Sequence, residues 1–66
     1  MSNREILDNF LKEREAIKIV TFSTECRLSD VWIKRLRRGE ASFSDRAIDL
    51  LNPMIEKYGG KQFLKK

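Results

Sequence analysis

The chain has no histidine, one cysteine, one proline and three glycines among its 66 residues, and each scarcity removes a class of chemistry or architecture. Without histidine, Cys26 has no partner for a Cys/His nucleophile pair, and the usual ligand set of a zinc site cannot be assembled. A lone cysteine also forms no internal disulfide. No glycine-rich phosphate loop is present, and the carboxylates fall where ordinary solvated helix faces are expected. The expectation is therefore a protein that is not an enzyme, with no cofactor, metal or small-molecule ligand. No apolar run approaches the roughly 18 residues of a membrane span, and the N-terminus lacks the basic and apolar regions of a signal peptide. That reading places the protein in the cytoplasm with no membrane partner. The aromatics, 9% of the chain, are isolated and do not form a stacking platform for single strands.

Hydrophobic residues make up 41% and charged residues 36%, a balance that suits a small all-α domain and is too apolar for disorder. At this length only about 60% of the unfolded surface is buried on folding, so one small core is all the chain can build. The net charge of +4 is unevenly spread. Residues 1–26 and 41–58 each carry −1, whereas 27–40 and 59–66 each carry +3. Basic charge gathered in two places suits a polyanionic partner.

Helical signals are strong in order along the chain. Ser2 and Glu5 form an SxxE capping box, with Met1 and Ile6 placed as a hydrophobic staple. Ile6, Leu7, Phe10 and Leu11 then make one apolar stripe, and Asp8 and Lys12 form an i,i+4 pair. The β-branched Ile17, Ile19, Val20 and Thr21 leave a four-residue strand open, but the spacing of Phe22 and Cys26 favours a second helix near 19–26, with Cys26 buried. Ser29 caps a third helix from Asp30 to Arg38, which Gly39 ends. On that helix Ile33 and Leu36 point inward, Val31, Lys34, Arg35 and Arg38 point away, and Trp32 and Arg37 lie on the flanks. Ser44 caps a fourth helix, with Ala47, Ile48, Leu50 and Leu51 on its buried side. The pair Asn52–Pro53 is expected to end it and to start a fifth helix, Pro53 to Tyr58, since proline is well placed at a first helical position. The domain then runs over 1–60, leaving 61–66 as a basic tail that is flexible or dimer-forming.

Five short helices with this turn resemble the Cro- and repressor-type helix-turn-helix family of bacteriophage and bacterial transcription regulators, whose fold is that of the lambda-repressor-like DNA-binding domain. In that family's pattern, aliphatic or small residues recur at set positions of the motif, here filled by Phe22, Ser23, Leu28, Ile33 and Leu36, and the run LSxxxIxxLxRG from Leu28 to Gly39 is met in full. Three positions depart from it. Arg27 stands where glycine is common in the turn, Ile19 where a glutamine often meets a phosphate, and Phe43 where a proline often precedes the fourth helix.

The resemblance implies a sequence-specific double-stranded DNA-binding regulator, a Cro-like repressor, acting as a homodimer on a palindromic operator with helix 29–38 in the major groove. Arg35 would contact guanine O6 and N7, Val31 a thymine methyl, and Asp30 a cytosine N4, unless Asp30 serves only the helix terminus. Lys34 would serve base or phosphate. Ser29, Trp32, Arg37 and Arg38 would hold phosphates, with Trp32 equally suited to packing. Tyr58, Phe63 and Leu64 are the candidate dimer surface, the alternatives being that they fold back on their own core or stay disordered. A different class of reading is a small helical adaptor that binds a protein, such as a polymerase subunit, through the same basic helix.

Overall fold

The computed structural model describes residues 1–66 and contains helices only: α1 Asn3–Lys12, α2 Ile19–Cys26, α3 Asp30–Arg38 and α4 Asp45–Lys57. No helix is long and apolar enough to cross a membrane.

Three helices start on a serine. Ser2, Ser29 and Ser44 each take extended backbone and accept a hydrogen bond from the amide three residues on, at 3.2, 3.0 and 3.1 Å, satisfying a donor that has no partner inside the helix. Glu5 closes the capping box by accepting from the Ser2 amide. Met1 stays 69% exposed, so its half of the staple contributes little. Helix α2 has neither a capping side chain nor an acidic residue in its first turn, and the strand left open over Ile17–Thr21 does not form.

Three helices also end alike. After α2, α3 and α4 a residue with φ of 61°, 77° and 81° turns the chain into the left-handed region, and the next amide reaches back to a carbonyl five residues earlier. Gly39 and Gly59 do this at no steric cost. Arg27 does the same work with a Cβ.

The core is one cluster to which α1 gives Ile6, Leu7, Phe10 and Leu11, α2 gives Phe22 and Cys26, α3 gives Ile33 and Leu36, and α4 gives Ile48, Leu51 and Ile55. Leu64 completes it from the tail. Burial raises the Cys26 thiol to about 11, which keeps it protonated and unreactive.

The helix count is four where the sequence suggested five. Pro53 lies inside α4 instead of dividing it. It can supply no amide to the Asp49 carbonyl, but both residues lie on the exposed side of the helix, where a carbonyl left without an intrahelical partner faces solvent and costs little. Ile48, Leu51 and Ile55 meanwhile continue one buried stripe past the proline, and that burial outweighs the local loss. Asn52 is accordingly not a cap. Its side-chain amide donates to the Leu64 carbonyl at 3.0 Å and accepts from the Leu64 amide at 2.8 Å. Asn3 treats Lys65 in the same way, at 2.7 and 2.9 Å. The tail 61–66 is thus pinned by two asparagines that stand in for neighbouring strands.

Arg14 fastens the opposite end. Its Nε donates to the Tyr58 carbonyl at 2.8 Å, and the guanidinium lies 4.4 Å from the Phe10 ring centroid, joining the end of α1 to the end of α4.

Candidate nucleic-acid interface

Helix α3 is set by two buried side chains, Ile33 and Leu36, both fully excluded from solvent. With these inward, the 100° spacing turns Val31, Lys34, Arg35 and Arg38 outward, and all four are exposed. Val31 keeps 59% of its surface in water, an exposed branched apolar group among cations.

The cations differ in how they are held. Lys34 leans towards Asp30 at 3.7 Å, a loose i,i+4 pair in which both partners are exposed and which is worth little by itself. Arg38 is hydrogen-bonded to Glu40 just beyond the helix. Arg35 has no carboxylate partner and stacks 5.4 Å from the Trp32 ring centroid, so its fork of N–H donors is free at the outer edge. Trp32 is half-buried against the core, as a flank position requires. Ser29 spends its hydroxyl oxygen as the cap of α3. The proposed base-contacting and phosphate-contacting residues therefore share one helix and its start.

Arg37 is the exception within that group. Its Nε donates to Asp8 Oδ1 at 2.9 Å, and Arg4 donates to the Arg37 carbonyl at 3.0 Å, so the end of α3 is strapped to α1. Asp8 also meets Lys12 at 3.0 Å, as the sequence spacing indicated. The hydrogen bond from Lys12, with that from Arg37, holds the Asp8 carboxyl below its usual range. A lowered folded-state value means that the pair contributes fully above the unfolded aspartate value of about 3.9 and is lost as pH falls through the folded value. Asp8→Asn is expected to cost about 1 kcal/mol at pH 7, since Asp8 and Arg37 are each about a quarter exposed while Lys12 lies mostly in solvent. Urea midpoints at pH 7 and pH 3 check this, the gap between variant and parent closing at the lower pH.

The candidate dimer residues part company. Leu64 is buried at 4% exposure in the chain's own core, so it is not on any free surface. Tyr58 packs against Phe22 with ring centroids 6.3 Å apart, and its hydroxyl donates to Glu25 at 2.8 Å, which raises its own proton affinity. Phe63 alone stays out, 40% exposed beside a shallow groove shared with Met1 and Ile6.

In the sequence Arg27 stands out only as a departure in the turn, and Arg46 not at all. They line one notch of about 340 Å³ with Leu28, Ser29, Trp32, Ser44 and Ala47, between the starts of α3 and α4. The signal available was Arg27 in a glycine position; the approach of Arg46 depends on how α4 packs and has no local signature.

Compared with models of known families, with curated proteins and with solved structures, the chain matches none.

Proposed function

We propose that this protein is a sequence-specific double-stranded DNA-binding regulator that inserts α3 into the major groove, with α2, the Arg27 turn and α3 acting as a helix-turn-helix. The outward face of α3 carries the reading: Val31, Lys34, Arg35 and Arg38 are exposed together on a helix whose other side is locked by Ile33 and Leu36. A helix so held presents its side chains in fixed positions, which base-edge hydrogen bonding demands. In this reading Arg35 takes guanine O6 and N7, Val31 meets a thymine methyl, and Arg38 with Lys34 holds phosphates. Asp30 serves the start of α3 and steadies Lys34. Repression from a palindromic operator follows if two copies bind as a dimer, since one helix of this length reads too few base pairs to stand out among a genome's competing sites. Of Tyr58, Phe63 and Leu64, Phe63 is the one left exposed for such a dimer.

Binding to duplex should weaken with salt on a log–log slope of about −0.9 per phosphate contact, and a footprint should show two half-sites roughly one helical turn apart. No protected duplex site at low salt would sink the DNA reading and leave a protein partner for the basic helix. Arg35→Ala is expected to relax preference at one base pair by about 1 to 3 kcal/mol, whereas Arg38→Ala weakens all sequences alike. Binding-site selection from random duplexes with each variant separates the two roles, and equal effects would refute them.

A further inference from the structure

The four cations of α3 are not equally available to an outside anion, because the chain itself supplies a carboxylate to three of them. Lys34 has Asp30 at 3.7 Å, Arg38 has Glu40, and Arg37 has Asp8 at 2.9 Å, whereas Arg35 has none. The partners of Lys34 and Arg38 lie within α3 or just beyond it, where neighbouring charges meet by default. Asp8 is different, since it reaches over from α1, twenty-nine residues away. Together Asp8, Lys34, Arg37 and Arg38 line a hollow of about 240 Å³, so three cations share it with one carboxylate. That carboxylate is fastened from both sides, Lys12 holding Oδ2 at 3.0 Å while Arg37 donates to Oδ1. A cationic hollow of this kind suits an oxyanion, and the protein already keeps one there.

We infer that Asp8 is an intramolecular competitor for polyanions: its carboxylate holds Arg37, and an outside anion has to displace it before Arg37 can bind. With DNA as that anion, the inference rests on the reading proposed above. The side chain can make the exchange because the backbone beneath it is held by other means. Arg4 donates to the Arg37 carbonyl at 3.0 Å, and Ile33 and Leu36 are fully buried, so Arg37 can turn from Asp8 without α3 leaving the core. Both partners are about a quarter exposed, which lets an anion approach the pair from solvent. Charge stays balanced in the exchange, since Arg37 trades a carboxylate for a phosphate and Asp8 keeps Lys12. What the new contact gains is reduced by the pair it breaks, and the reduction is the same for every sequence, because phosphates carry no base identity. Asp8 therefore sets how tightly duplex is held, whereas Arg35, which meets no carboxylate, sets which duplex.

The test compares Asp8→Asn with the parent chain on a short random-sequence duplex over a range of salt. Freeing Arg37 for one phosphate is expected to steepen the log–log slope by about 0.9, which is about eightfold tighter binding at about 0.1 M salt. Glu56→Gln removes the same charge from α4, at a carboxylate with no partner, and should tighten binding by about twofold or less with the slope unchanged. Adding Arg37→Ala to Asp8→Asn should return slope and affinity to those of the parent. A pair that served the fold alone would behave otherwise, because its loss would lower stability and leave binding unchanged or weaker. Unchanged or weaker binding by Asp8→Asn, or a gain that Glu56→Gln matches, overturns the inference. Heparin, a polyanion without bases, separates that failure from failure of the DNA reading. Asp8→Asn should elute from immobilised heparin at higher salt than both the parent and Glu56→Gln. If no duplex is bound by any variant, the DNA reading fails, and the order of elution from heparin still decides whether Asp8 competes for Arg37.

Discussion

Phe22→Ala is expected to leave the chain close to or beyond its unfolding midpoint at room temperature. Phe22 is fully buried, and its ring stands 5.9 Å from that of Phe10 on α1 and 6.3 Å from that of Tyr58 at the end of α4, tilted to both. Truncating such a ring costs about 3 to 5 kcal/mol, because the apolar transfer is lost and a rigid surround leaves a cavity. A domain of this length has only about 3 to 10 kcal/mol in all. The loss is concentrated on α2, the helix least able to stand alone, since it has eight residues, no capping side chain and no charge complementing its start. Helix α3 packs on α2, so the outward face of α3 should go with it. Urea unfolding followed by circular dichroism gives the cost directly; a value below about 1 kcal/mol would mean that α2 is held by something other than this ring. Phe22→Leu, which keeps most of the volume and forfeits the ring contacts, should fall between.

Helix α3 was legible residue by residue because its signals are local. A serine cap, an apolar pair three apart and a glycine stop all lie within eleven residues, Ser29 to Gly39, and the observed bounds Asp30–Arg38 are those the sequence indicates. Helix α4 was misread for a related reason. Proline at 53 carries a strong local preference, whereas the stripe Ile48, Leu51 and Ile55 that overrides it becomes decisive only when all three are buried together. The asparagine beside it could be read as a cap from sequence, and nothing local says that its amide reaches Leu64, twelve residues away.

The cations of α3 divide along the same line. Which of them point outward follows from the 100° rotation, and the sequence gives it. Which of them are free does not, because Arg37 is engaged by Asp8 from twenty-nine residues away while Arg35 meets only its neighbour Trp32. The phosphate role suggested for Arg37 thus competes with an ion pair inside the protein, and Arg35 bears no such competition. Long-range pairing decides which of several equivalent-looking charges a ligand can use.

Leu64→Ala is the second large effect, at about 2 to 5 kcal/mol, and it separates two uses of the tail. If Leu64 belongs to the protomer's own core, as its 4% exposure among residues of the α1–α4 cluster indicates, the loss is the same at every protein concentration. If its burial came from a second copy, the thermal midpoint would move with concentration in the parent and cease to do so in the variant. The hydrogen bonds sharpen the result. Asn52 pairs with both backbone groups of Leu64, and Asn3 with both of Lys65, so side chain and backbone dock as one unit. Asn52→Ala should therefore cost less in the Leu64→Ala background than in the parent, an interaction energy of about 0.5 kcal/mol or more. Trypsin supplies an independent reading, because Lys61 and Lys65 flank the docked segment and cleavage there should speed up in Leu64→Ala before the helices melt. Strict additivity of the two substitutions, or a tail cut as fast in the parent as in the variant, would show that the segment is not held by Leu64, and would return it to the surface where a partner could use it.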